Sequence, residues 1–315
     1  MSPNTIRESA PWGIEANAIH SLLTQLIDNG IAILPNLLTA RQLHGMQASF
    51  GARLKRMRWN NFDGYEKTER YRHLVQDVLT LDQGFVDVAL NPAVIEVLRQ
   101  YIGGGFELVE AKGWKSLPTR RDFNGWHGDA WYDQNLVPDR VPREVKLGIY
   151  LTDVRSGGFV YVKGTHGRQH PKPLDRAEVC GISQSRAVEV TGPAGLGFLF
   201  DTSGFHRQNV PIVEPREAVF FAYHDPRIPL QKEDVDYYRY HPLMLNAAFL
   251  GQLSEEERRI FGFGNKINFQ PLYERSPAHT TFQTVVRTVF GVKLVLAELR
   301  ERIEAKIRRL IGQQE

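Results

Sequence analysis

The chain has 315 residues, 42% hydrophobic and 24% charged, with a formal net charge of +3. That balance suits one large soluble domain or two modest ones, and the small charge gives no electrostatic footprint for nucleic acid as the main partner. The single cysteine, Cys180, excludes an intrachain disulfide framework and a thiolate metal cluster. No run reaches the eighteen or so apolar residues of a membrane span. Met1 to Glu15 lacks the basic start and apolar centre of a secretory signal, so the expected location is the cytoplasm.

In chain order, residues 1–13 read as a loose tail. Ile19, Leu22, Leu23, Leu26 and Ile27 recur at helical spacing, and Asn29-Gly30 stops that helix. Ile31 to Leu34 predicts a short strand closed by Pro35. Thr39 predicts the cap of a helix over about 40–57, residues 59–73 read as a loop, and Asn91-Pro92 opens a helix that glycines 103–105 end. From 106 to 224 short apolar segments alternate with turn signals: Phe106–Ala111, Lys146–Leu151, Phe159–Val162, Ala187–Val190, Gly197–Phe200 and Ala218–Tyr223. Their spacing predicts an all-β core with flanking helices, as an antiparallel barrel or jelly roll. Ser254 with Glu257 forms a capping box, and Val292, Val295, Leu296, Leu299, Ile303, Ile307, Leu310 and Ile311 make one apolar stripe on a last helix. The expectation is a single domain over 1–315: N-terminal helices (about 16–102), a jelly-roll core (about 106–224) and a C-terminal helical extension (about 254–311).

The most specific residues are Trp126-His127-Gly128-Asp129 and, far along the chain, Gly204-Phe205-His206-Arg207. In a strand, residues two apart point the same way, so His127 and Asp129 can reach one metal together. After the turn Thr202-Ser203-Gly204, His206 can return over the same mouth. Two imidazoles and a carboxylate suit iron(II) and leave half its coordination sphere open, enough for a chelating 2-oxo acid and dioxygen. Taken alone, the pair also fits an interior histidine beside a turn carboxylate. Arg216 begins the segment before Ala218-Val219-Phe220-Phe221, and its planar guanidinium matches a carboxylate such as the far end of 2-oxoglutarate. Its other reading is a surface arginine after Glu214-Pro215. Two adjacent antiparallel strands would carry His206 and Arg216 to one mouth, with Arg207 facing away. Lys146 either adds a second cation for the co-substrate or sits on the rim. Trp126, Trp131 and Tyr132 line the pocket or fill the core. His166 lines the site or closes its loop; His170 and His224 are further candidate ligands. Arg120 and Arg121 fit a solvated loop better than an anion site.

Together these residues resemble the phytanoyl-CoA dioxygenase family of iron(II)- and 2-oxoglutarate-dependent oxygenases. The resemblance starts at Asn29-Gly30-Ile31-Ala32-Ile33-Leu34-Pro35 and runs through His127-Gly128-Asp129, Tyr150-Leu151-Thr152-Asp153 and Gly157-Gly158-Phe159. It continues to Gly164-Thr165-His166 and ends with His206 and Arg216. It implies a double-stranded β-helix of the cupin-like kind, with iron on His127, Asp129 and His206 and 2-oxoglutarate on Arg216. It also implies oxidation of an unactivated C–H bond of a small molecule by dioxygen, with release of succinate and carbon dioxide. Threonine 165 stands where the family usually has serine and keeps the hydroxyl. Halogenating relatives replace the carboxylate with a small residue, so Asp129 points to hydroxylation or another halide-free oxidation.

Two other functions fit the same barrel. One is a cupin-like isomerase or hydrolase using zinc or manganese, which gives Arg216 no task; the other is a non-catalytic binder of small molecules. For the terminal helix, packing on the domain or on a second copy in a homo-oligomer is preferred over a peripheral membrane contact, because Glu298, Glu301 and Glu304 dilute its basic face.

Overall fold

Helix α1 (Ala16–Asn29) buries Leu22 and Leu26 and stops where Gly30 turns to φ +76°, its N–H donating to Leu26 O at 2.9 Å. Only glycine fits there, because a Cβ would collide with the Tyr161 hydroxyl and the His166 ring. Strand β1 (Ile31–Leu34) follows at once. Thr39 and Gln42 cap α2 (Ala40–Leu54) reciprocally, as a capping box, and Met46 and Phe50 form its buried face. In the computed structural model the described residues are 16–35, 37–55, 71–122, 125–129, 144–167, 181, 184–227, 243–250 and 253–263. Positions 289, 292, 293, 296, 299, 300, 303 and 306 are also described.

Strand β2 (Arg72–Val75) begins inside the stretch read from sequence as a loop. Helix α3 (Gln83–Ala89) is capped by Asp82 and was not legible in the sequence. Helix α4 (Pro92–Leu98) has the expected cap, Asn91 Oδ1 accepting from the N–H groups of Ala93 and Val94, and a wide turn to Gly103 ends it. The strands that follow are β3 (Glu107–Ser116), β4 (Glu144–Tyr150), β5 (Val154–Val162), β6 (Ala187–Gly192), β7 (Gly197–Asp201), β8 (His206–Gln208) and β9 (Arg216–His224).

These strands form two antiparallel sheets, a jelly roll with helices on one outer face. The larger has the order β1-β7-β4-β9-β3-β2 and the smaller β6-β5-β8. The sheets face one another through an aromatic layer. Phe159 of β5 lies 5.0 Å from Phe198 and 4.4 Å from Phe200 of β7, and Tyr150 of β4 donates to Val190 O of β6 at 2.8 Å. On the opposite face of the large sheet Phe50 presses on Gly113, where a Cβ would overlap its ring, and Tyr223 donates to Ala89 O at 2.7 Å. The early helices therefore cover the outside of the large sheet and leave the space between the sheets for the site.

The chain divides into two units, Met1–Phe261 and Gly262–Glu315, where the sequence suggests one domain. The first contains the jelly roll and the short helices Ala247–Leu250 and Glu255–Ile260, the latter with the expected Ser254–Glu257 capping box. In the second, the described positions are helical, and Val292, Leu296, Leu299 and Ile303 of the predicted stripe are 51–61% exposed. Val295, Ile307, Leu310 and Ile311 lie outside the described residues. Among the described residues no helix is long and apolar enough to cross a membrane.

Phe50 is fully buried, with its ring over Gly113. Phe50→Ala is expected to lower unfolding free energy by about 3–5 kcal/mol, read as a lower urea midpoint at unchanged denaturant slope.

Candidate metal centre

His127 and His206 are joined by two reciprocal backbone hydrogen bonds, His127 N–H to His206 O at 3.1 Å and His206 N–H to His127 O at 2.8 Å. Asp129 N–H donates to Thr202 O at 2.7 Å and extends the pairing. The expected strand around His127 is a single antiparallel bridge, yet it serves the same purpose, for it turns His127 and Asp129 toward one point. The two imidazole centroids are 4.4 Å apart. Asp129 Oδ1 lies 3.9 Å from His127 Nε2 and Oδ2 lies 3.8 Å from His206 Nε2. One donor atom from each residue falls within 4.8 Å of the others, which suits a single ion.

Both rings are oriented in the same way. His127 Nδ1 meets Gly125 O at 2.9 Å and His206 Nδ1 meets Gly204 O at 2.8 Å. A carbonyl only accepts, so each Nδ1 carries the proton and each Nε2 presents its lone pair toward Asp129. His206 is buried, and that burial, with His127 beside it, lowers its pKa from 6.5 to about 3 against the opposing pull of Asp129. The ring is therefore neutral at physiological pH, the form that binds a metal.

The expected turn Thr202-Ser203-Gly204 before His206 is held by Asp201, Tyr101 and Tyr161, to which the sequence assigns no role. Asp201 accepts from Ser203 through both N–H and hydroxyl, at 2.9 and 2.6 Å, and from the Tyr101 hydroxyl at 2.6 Å. Tyr161 donates to Asp201 O at 2.8 Å and closes on Gly204, where any Cβ would strike its hydroxyl. Burial, then the charge of Asp201, raises the Tyr161 pKa well above its usual value, so it remains a donor. The signal was present as Asp201-Thr202-Ser203-Gly204, a carboxylate placed to bond its own backbone two residues on.

Arg216 stands across the gap from His206. The expectation of two adjacent strands is corrected here: β8 pairs with β5 in the small sheet, whereas β9 lies between β3 and β4 in the large one. The two side chains approach from facing sheets. Arg216 is opposite Ser116 in register, Ser116 Oγ donates to Gln208 Oε1 at 3.4 Å, and Gln208 shares the inward face of β8 with His206. Arg216 is 6% exposed, and its Nε makes no hydrogen bond among the described residues. Burial lowers its pKa against the opposing influence of Tyr150 and Glu189. A buried guanidinium with an orphaned donor fits a carboxylate ligand.

The remaining candidates fall in different places. Lys146 is not on the rim and does not sit with Arg216: its Nζ donates to Asp129 Oδ2 at 2.8 Å. Burial works against its charge, but Asp129, Glu110 and Glu144 outweigh that and raise its pKa. Trp126 is buried with Val160 and Val162, with Arg207 stacked over its ring at 4.6 Å, so it fills a core layer rather than the metal pocket. Arg207 faces away as expected and pairs with Asp122 at 3.1 Å. His166 meets Ile27 O at 2.9 Å and braces the end of α1 rather than the triad. His224 is buried at the end of β9, 3.5 Å from Glu144. Arg120 and Arg121 are exposed. Trp131, Tyr132 and His170 lie outside the described residues.

A jelly roll that holds two imidazoles and one carboxylate at a single point between its sheets is the architecture of non-haem iron oxygenases. The family model of phytanoyl-CoA dioxygenase (PhyH) matches residues 27–207, and the chain belongs to this family. The match includes all three candidate ligands, while Arg216 lies just past its end. Several solved structures share the fold. HygX of Streptomyces hygroscopicus, solved with nickel, 2-oxoglutarate and hygromycin B, is 18% identical with a TM-score of 0.51, over 67% of this chain and 89% of that one. SnoN, a non-haem α-ketoglutarate-dependent epimerase of nogalamycin biosynthesis, is 15% identical with a TM-score of 0.55, over 77% and 91%. SnoK, a carbocyclase of nogalamycin biosynthesis, is 18% identical with a TM-score of 0.52, over 65% and 83%. No curated protein matches the sequence.

The depressed pKa of His206 has a consequence for stability. Between about 3 and 6.5 the unfolded chain binds a proton that the folded chain refuses, so stability present above pH 6.5 is lost as pH falls toward 3. Urea midpoints of the metal-free protein should drop from pH 7.5 to 5. The drop should be shallower in His206→Gln, which cannot titrate.

Proposed function

We propose that the protein is an iron(II)- and 2-oxoglutarate-dependent oxygenase that oxidises an unactivated C–H bond of a small metabolite or natural-product intermediate. The observation that carries this reading is the placement of Arg216: a buried guanidinium with an orphaned donor, on the wall facing a cluster of two Nε2 atoms and a carboxylate. A cupin-like isomerase or hydrolase needs the cluster but not the arginine.

His127, Asp129 and His206 would hold the metal on one side, the imidazoles fixed by Gly125 O and Gly204 O. Arg216 would receive the far carboxylate of 2-oxoglutarate, with the hydroxyl of Ser116 and the amide of Gln208 nearby. Phe159, whose ring centroid is 5.6 Å from that of His206, and the packed Phe198 and Phe200 form an apolar floor that excludes water. When bound, iron(II) with 2-oxoglutarate and dioxygen supplies the oxidant, and succinate and carbon dioxide are released. The chain's own contribution is placement. Hydroxylation is the default outcome, and the naming of SnoN as an epimerase and SnoK as a carbocyclase shows that proteins of this fold also end the reaction in other ways.

His127→Ala and Asp129→Ala are expected to abolish 2-oxoglutarate turnover, measured as succinate formed with iron(II) in air. Arg216→Met removes charge-assisted bonds worth roughly 1.5–3 kcal/mol each. It should raise the 2-oxoglutarate concentration needed for half-maximal turnover by about 10- to 100-fold. Unchanged co-substrate dependence in Arg216→Met would contradict the assignment.

A further inference from the structure

The interior wall beside the triad carries a line of alternating charge. Lys112 and Glu110 share the inward face of β3 and pair at 2.6 Å. Lys146, on the inward face of β4, pairs with Asp129 at 2.8 Å. Strand β9 runs between β3 and β4, and both Glu110 and Lys146 lie opposite Ala222 in register. The small Ala222 side chain thus separates the two pairs, and the charges follow one another as Lys112, Glu110, Lys146, Asp129. Lys112, Lys146 and Asp129 are each less than 10% exposed. A buried ion pair is weak as a source of stability, since a well-packed apolar pair of the same volume serves as well or better. The line has a different use here: it ends on the carboxylate that the proposed metal needs.

We propose that Lys146 is a positioning residue for the metal centre: it grips Asp129 by Oδ2, so that the carboxylate meets the metal through one oxygen, while Glu110, anchored by Lys112, keeps the ammonium in place. The inference rests on the metal-centre reading above and adds to it. The lysine moves from a co-substrate contact to the carboxylate side of the ion. It also gives the Glu110–Lys112 pair a purpose. A carboxylate held by one oxygen occupies one coordination position and leaves the other positions for co-substrate and dioxygen. Without that grip it is able to chelate through both oxygens and take one of them.

The test uses the whole protein and cobalt(II) in place of iron, without turnover. Visible absorption of bound cobalt reports coordination number, and a titration of the same band gives affinity. Wild-type protein should bind one cobalt. Lys146→Met should change the band shape and intensity and weaken binding about 10- to 100-fold, the range for loss of a group that orients a metal ligand. Lys146→Arg, which keeps the cation, should restore the wild-type band at least in part. If Lys146→Met does not fold, Glu110→Gln, which keeps Lys146 but removes the anion beside its ammonium, should shift the cobalt band in the same direction by a smaller amount. A folded variant with the wild-type spectrum and affinity would overturn the positioning role and leave the metal site standing. A wild-type protein that binds no cobalt would overturn the site itself.

Discussion

The two backbone hydrogen bonds that join His127 to His206 are the constraint on which the site depends. Neither imidazole is placed by a long strand: His127 sits on an isolated bridge and His206 opens a three-residue strand. Their reciprocal N–H···O=C bonds fix the two backbones in register, and the carbonyls of Gly125 and Gly204 then set the ring orientations. The turn that returns the chain to His206 is fastened from three directions, by Ser203, Tyr101 and Tyr161, all on Asp201. A metal centre needs its ligands held to a fraction of an ångström. In the proposed centre, backbone pairing and the buried carboxylate of Asp201 would supply that precision.

The jelly roll divides its interior by chemistry. One part is an aromatic layer of Tyr150, Phe159, Tyr161, Phe198 and Phe200, which locks the sheets together. The other is unusually polar for a protein interior, with Lys146, Lys112, Glu110 and Arg216 turned inward from neighbouring strands and Asp129 buried beside Lys146. Charges in such a place are tolerated because each cation has an anion or is positioned to receive one. Arg216 belongs to the second case: its buried Nε makes no hydrogen bond among the described residues, an unfavourable state that the proposed carboxylate ligand would relieve.

Much of this was legible in the sequence because the signals were local. Thr39 with Gln42, Asn91 before Pro92, and Ser254 with Glu257 announce helix starts, and each cap forms. The strands β4, β6, β7 and β9 lie close to their expected limits, whereas only the second half of β5 was expected. The far half of β3 was not, because its inward residues are Glu110, Lys112 and Ser116, and a charged interior breaks the hydrophobic pattern that marks a strand. Strand β2 was hidden for a related reason: Arg72 stacks its guanidinium on Trp114 at 3.6 Å and reads in sequence as a surface residue. The triad was legible as residue types and spacing. That Arg216 faces His206 across two sheets, instead of lying beside it, was not, since strand order is a long-range property. The partnership of Lys146 with Asp129 was hidden for the same reason.

The most direct test of the account is an anaerobic titration of the metal-free protein with iron(II) and then 2-oxoglutarate, followed by visible absorption. A chelated 2-oxo acid on iron(II) gives a weak charge-transfer band that neither component shows alone. The account predicts that the band grows to one equivalent of each and is absent in His206→Gln. Stoichiometric iron binding with no band on adding 2-oxoglutarate would contradict it and leave a metal site of another kind.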